Sequence, residues 1–171
     1  PPFLGTWDYL FSSGFLIPRS LSGIVSDSIP ALHDRSARAY FSQVGAIWPY
    51  DGHTSWLTAR LLWNPDADAD ALLDEYFTEY YGPAADTMRS FFEKAEFLWM
   101  RQSGSGWWLR YWQDPWQASL WNKDAVRELE SLLEKALLES RRPRHTVSAG
   151  LSPVRFYSRI RQTADLFALT L

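Results

Sequence analysis

Thr6-Trp7-Asp8-Tyr9-Leu10-Phe11 reads as a β-strand: β-branched and aromatic residues dominate it, and Ser12-Ser13-Gly14 ends it. A second run of this kind is Arg38-Ala39-Tyr40-Phe41-Ser42-Gln43, which Val44 to Trp48 can extend. Between them, Ser28-Ile29-Pro30-Ala31-Leu32-His33 reads as a helix start, with a capping hydroxyl and a proline suited to the first turn. Strand, helix, strand over this span predicts a βαβ unit, whose strands are parallel. A pair of parallel strands does not make a stable sheet, because such sheets are buried on both faces and need partners at their edges. The expectation is that further strands of the same sheet precede these residues and that the chain is the C-terminal piece of a longer polypeptide.

Working outward, everything from Ser55 onward reads as helix. Trp56-Leu57-Thr58-Ala59-Arg60-Leu61-Leu62-Trp63 stops at Asn64-Pro65. Leu72, Leu73, Tyr76, Phe77 and Tyr80 recur at helical spacing and end at Gly82, a left-handed cap. Pro83 opens the next helix, with Met88, Phe91, Phe92, Ala95, Leu98 and Trp99 on its apolar side, and Gly104-Ser105-Gly106 breaks it. Asn122 caps a helix carrying Val126, Leu129, Leu132, Leu133, Ala136 and Leu137, which Arg141-Arg142-Pro143 ends; Ser152-Pro153 starts the last, with Phe156, Ile160, Ala164 and Phe167 inward. Asp66-Ala67-Asp68-Ala69-Asp70 opens like a calcium loop, but Ala71 and Phe77 stand where that loop needs Gly and Glu. Those carboxylates suit the positive end of a helix dipole instead. The predicted class is α/β giving way to mostly α, with βα units in residues 1–63 and a helical extension in 64–171.

Composition excludes several functions. The 171 residues are 46% hydrophobic and 22% charged, a globular balance. A net charge of −3 speaks against a phosphate-backbone binder, so no nucleic-acid partner is expected. Without cysteine there are no disulfides, thiolate metal sites or cysteine nucleophiles. No run approaches the ~18 apolar residues of a membrane span. His33 and His145 lack partners at metal-ligand spacing, and phosphate loops, zinc signatures and a serine nucleophile elbow are absent, so no metal or cofactor is expected. The unusual feature is 10 Trp, 8 Tyr and 10 Phe. Such rings fill cores, and they also offer flat faces to the C–H face of a sugar.

Three motifs in order, Leu61-Leu62-Trp63-Asn64-Pro65, Leu72-Leu73-Asp74-Glu75-Tyr76-Phe77 and Tyr80-Tyr81-Gly82-Pro83-Ala84-Ala85, make residues 5–100 resemble bacterial glycoside-hydrolase-like proteins. These form an uncharacterised, domain-of-unknown-function branch related to α-glucuronidases and more distantly to β-hexosaminidases. The resemblance implies a (β/α)8 barrel whose last two βα units lie in residues 1–63, followed by a helical C-terminal extension. It also implies an enzyme that degrades polysaccharide or uronic-acid-bearing glycans outside the cytoplasm. A whole barrel takes about 250 residues, so the partners expected are a carbohydrate substrate and the remainder of the parent polypeptide. The acid/base carboxylates that glycoside hydrolysis needs are expected upstream, outside this chain.

Barrel enzymes place their chemistry at the carboxyl ends of strands. Substrate contacts are therefore expected from Asp8 and Tyr9 after the first strand, and from Gln43, Trp48, Tyr50, Asp51 and His53 after the second. Strand alternation sets Asp8 on one face and Trp7 and Tyr9 on the other. By the resemblance, relatives often carry Glu where Gln43 stands, and an amide can bond a hydroxyl but exchanges no proton near neutral pH. Trp48 either stacks on a sugar ring or plugs the core; Tyr50 and Asp51 bond hydroxyls, or Asp51-Gly52 is simply a turn. His53, placed just before the last barrel helix, contacts substrate or is structural. A second reading makes the chain a non-catalytic carbohydrate-binding or interaction module, with Trp107, Trp108, Tyr111, Trp112, Trp116 and Trp121 as either a stacking platform or packing. A third makes it a purely structural helical domain.

Overall fold

The computed structural model describes residues 3–10, 12, 14, 15, 17–43, 47–101, 114–141 and 153–169. Strand β1 (Leu4–Tyr9) and strand β2 (Ala37–Gln43) flank helix α1 (Ser22–Asp34). Then come α2 (Trp48–Trp63), α3 (Ala69–Tyr81), a short 3₁₀ turn, α4 (Ala85–Met100), a second 3₁₀ stretch (Pro115–Leu120), α5 (Lys123–Glu139) and α6 (Pro153–Ala168). The strands pair in parallel, with Thr6 opposite Tyr40, Trp7 opposite Phe41, Asp8 opposite Ser42 and Tyr9 opposite Gln43. The chain is thus mostly helical, a two-stranded parallel sheet followed by helices.

Pleating divides the sheet. Asp8, Tyr40 and Ser42 are partly covered on the helix side, whereas Trp7 and Phe41 on the other face are 64% and 51% exposed. Each strand pairs only with the other among the described residues, so both outer edges lack strand partners. The helices are different. One apolar cluster runs from Leu10 and Val25 through Leu57, Leu61, Phe77, Met88 and Phe91 to Leu129, Ile160 and Phe167. α3 packs on α2 and α4, α5 on α4, and α6 closes the stack against α2, α3 and α5.

Several element bounds depart from the sequence reading. β1 stops at Tyr9 rather than Phe11, and β2 is described as far as Gln43, while Trp48 is helical rather than part of the strand. α1 starts at Ser22, and Pro30 lies inside it instead of opening it. No side chain of α1's own neighbourhood caps its first turn; Glu96 of α4 does so, Oε1 accepting from Gly23 N–H at 2.8 Å. The buried residues Ser22, Val25 and Ile29 then recur at helical spacing. α2 starts at Trp48, not Ser55, with Pro49 in its first turn where a missing N–H costs nothing. Local signals succeed elsewhere. Asp68 Oδ1 accepts from Asp70 N–H and Ala71 N–H at the start of α3, Asn122 caps α5, and Gly82 ends α3 with φ +59°.

Candidate functional site

The carboxyl ends of β1 and β2 gather charge. Asp8 accepts hydrogen bonds from Tyr40 Oη (3.2 Å) and from Tyr9 N–H (2.7 Å). Arg19, in the loop after β1, donates Nη2 to the Tyr9 carbonyl at 3.1 Å and lies over the rings of Phe15 (4.6 Å) and Trp99 (5.6 Å). Burial lowers the proton affinity of its guanidinium, and the nearby carboxylates of Asp51 and Asp8 oppose that shift. Asp51, in the first turn of α2 and 2% exposed, accepts the Ser12 N–H at 3.0 Å. Burial raises its carboxyl above the ordinary range, opposed by Ser12 and then Arg19. Burial, with Asp8 beside it, likewise raises the Tyr40 phenol. The Arg19 guanidinium thus feels the charge of two predicted residues, Asp8 and Asp51, that stand far apart in sequence.

The other predicted residues scatter. Tyr9 is half-buried, ring-stacked on Trp7 at 6.2 Å, and its register partner Gln43 is exposed beside it on the open face. Because α2 begins at Trp48, residues Tyr50, Asp51, Gly52 and His53 are helical rather than loop, and Asp51-Gly52 is not a turn. Tyr50, Asp51 and His53 are all turned into the core, each 2% exposed, and His53 also lines a small cavity with Ser20, Gly23 and Glu96. The Tyr50 hydroxyl is buried and has no hydrogen-bond partner among the described residues, and burial raises its pKa.

His53 lies inside α2, its ring 4.2 Å from that of Phe92, and burial pushes its pKa down to about 3. Its Nε2 sits 2.9 Å from Ser20 Oγ, which in turn donates to Glu96 Oε2 at 3.0 Å. The serine's one proton is committed to Glu96, so His53 Nε2–H is the donor to Ser20. This resembles a hydrolytic triad in composition only. In a triad the carboxylate holds the imidazole, which draws the proton from serine; here the carboxylate takes the serine proton, and the imidazole is a neutral donor. The network ties the loop before α1 to α2 and α4. No group of three or more His, Asp or Glu among the described residues is placed to hold a metal ion. No described helix is long and apolar enough to cross a membrane.

Trp48 belongs to a different feature, an open groove of about 310 Å³ between α2, α3 and α6. Trp48, Gly52 and Trp56 follow one another a turn apart on α2. Tyr76 and Tyr80 of α3 face them, stacked on each other at 5.2 Å, and Glu75, Glu79 and Arg159 complete the lining. The sequence reading treated Tyr76 and Tyr80 only as an apolar stripe. The repeat Glu75-Tyr76 then Glu79-Tyr80, facing Trp-x3-Gly-x3-Trp, was the signal available. Of the tryptophan-rich stretch, Trp121 is buried against Phe167 (5.9 Å) and Trp116 is exposed. Trp107, Trp108, Tyr111 and Trp112 lie outside the described residues, as do Val44 to Ala46, Gly104-Ser105-Gly106, Arg142-Pro143 and Ser152.

No curated protein and no solved structure matches this chain significantly. Residues 4–93, more than half of the chain, match the model of a family described as a domain of unknown function, DUF4838. The match covers both strands, the Asp8–Arg19–Asp51 cluster, His53 and the aromatic residues of α2 and α3. By that extent the chain belongs to the DUF4838 family.

Proposed function

We propose that this chain forms the closing βα units and helical extension of a barrel-type glycoside hydrolase, and that it contributes substrate contacts while upstream strands supply the acid/base pair. The observation that carries the reading is the open face of β1 and β2. Trp7 and Phe41 stand exposed in edge-to-face contact at 4.6 Å, beside Tyr9 and Gln43, on a parallel pair whose edges have no strand partner among the described residues. Parallel sheets are stable with both faces covered, and a barrel covers this face with its own lumen. In that setting Tyr9 and Gln43, side by side at the carboxyl ends, point into the mouth where sugar hydroxyls bind. Asp8 and Asp51 act at a distance: their charges favour the Arg19 cation, which donates to the Tyr9 carbonyl. Gln43 bonds a hydroxyl without transferring a proton.

The test compares this 171-residue chain with the product of the whole reading frame, on aryl glycosides of neutral and uronic sugars. The expected result is turnover by the longer protein only, reduced in it by Gln43→Ala and Tyr9→Phe. Turnover by the chain alone, or an upstream frame without strand–helix units, overturns the reading.

A carbohydrate-binding role without catalysis is the second reading, favoured by the aromatic groove between α2, α3 and α6.

A further inference from the structure

The groove carries an argument that is independent of the barrel. Trp48 is 43% exposed, and one side of its indole rests on Gly52: a Cβ there would come within 2.8 Å of the ring and 2.5 Å of Tyr76 Oη. Glycine costs about 1 kcal/mol relative to alanine inside a helix, and what this one provides is room for the Trp48 indole and the Tyr76 hydroxyl. The rest of the indole lines the groove.

The lining discriminates among ligands. A cation would normally suit an array of Trp and Tyr. Here, however, Arg60 already lies over Trp56 at 4.8 Å and Arg159 over Tyr80 at 4.1 Å, so a further cation meets like charges. An anionic ligand meets Glu75 and Glu79; among the described residues an ion pair neutralises Glu75, through Arg60 at 3.1 Å, and none neutralises Glu79. An apolar peptide would leave Glu79 and Arg159 facing hydrocarbon. A neutral sugar fits each demand: its C–H face lies on the Trp48 ring, and its hydroxyls donate to Glu79 and accept from Arg159. Arg159 is already aimed, donating Nη1 to the Tyr80 carbonyl at 2.7 Å. A space of about 310 Å³ sits at the small end of ligand sites, which run from roughly 300 to 1,000 Å³, and suits one or two sugar rings rather than a long wrapped chain.

We infer that the α2–α3–α6 groove is a binding site for a neutral oligosaccharide, with Trp48 as the stacking ring and Glu79 and Arg159 as the hydroxyl partners. Hydrolysis plays no part in it, so a chain that binds without cleaving sustains this inference whatever becomes of the barrel.

The test is calorimetric titration of the 171-residue chain with cellohexaose, maltohexaose, hexagalacturonate and tetramethylammonium. Saturable binding of at least one neutral hexasaccharide is expected, with hexagalacturonate and tetramethylammonium weaker. Trp48→Ala weakens it about tenfold or more, as loss of an aromatic anchor does. Glu79→Gln, at an exposed position that leaves the core intact, weakens it about tenfold, one charge-assisted hydrogen bond. Gly52→Ala, which displaces the indole, weakens it in the same direction. No binding of either neutral hexasaccharide overturns the inference. So does tighter binding of the uronide or the cation, or neutral-sugar binding that neither Trp48→Ala nor Glu79→Gln changes.

Discussion

The sheet and the helical layers use the same kind of residue in opposite ways. Trp7 and Phe41 meet edge-to-face on the sheet and remain more than half exposed. Phe91 and Phe92, meeting edge-to-face at 5.1 Å in α4, are buried completely or nearly so, and Phe91 also packs edge-on to Phe167 of α6 at 5.8 Å. Aromatic content is therefore not one property of this chain. Around Phe91 it is core, closed on itself; on the sheet it is surface that invites a cover, and on α2 Trp48 and Trp63 are exposed as well.

The widest gap should appear in stability. Phe91→Ala is expected to cost about 3–5 kcal/mol, a transfer and cavity term at a site that cannot collapse. Phe41→Ala should cost about 1 kcal/mol or less, chiefly the exposed ring pair. Urea unfolding of both variants measures this. Equal costs would break the contrast by showing the sheet face covered in solution.

Acid should separate the two regions by sign. His53, in the helical layers, has a folded pKa near 3 against an ordinary 6.5. Between those values the unfolded chain binds a proton that the folded chain refuses, so this contribution is complete above pH 6.5 and is lost as pH falls toward 3. Asp51, at the strand ends, has a raised pKa, so its contribution is present at low pH and is lost as pH rises through the raised value. Denaturation midpoints across this window should fall on acidification, less steeply in His53→Gln and more steeply in Asp51→Asn. An unchanged slope in His53→Gln would remove the buried neutral imidazole from the account.

A smaller pair of effects sharpens the comparison at helix starts. Glu96→Ala removes the acceptor of both Ser20 Oγ–H and Gly23 N–H and should cost about 1–3 kcal/mol, with loss of amide protection in the first turn of α1. Asp68→Ala, a local cap, should cost about 1 kcal/mol, with fraying confined to α3. Hydrogen exchange distinguishes the two. If Glu96→Ala leaves α1 as protected as before, the remote cap is not what starts that helix.

Much of the fold was legible where the cause was local. The caps at Asn122 and Gly82 and the acidic start of α3 act within a few residues of themselves, and the parallel pairing followed from a strand–helix–strand order. The starts of α1 and α2 were not legible. The first turn of α1 is capped by Glu96, which lies 73 residues from Gly23, and among the described residues no side chain caps the start of α2, whose local mark is Pro49. Of the candidate site, the positions after the strands were named, but their grouping was not. Nothing in the spacing of Asp8, Arg19 and Asp51 says that one guanidinium lies near both carboxylates. Nothing in the run from Trp48 to His53 says that the tryptophan faces a groove while the histidine faces Phe92.

What the amino-acid order determined by itself was the element types, their sequence and the local stops, because propensity, capping and periodicity act over a few residues. Only the tertiary structure decided which aromatic rings are surface and which are core, which polar side chains share partners, and where the groove opens. Those outcomes depend on faces brought together across the chain, and a helix presents opposite faces within the same turn.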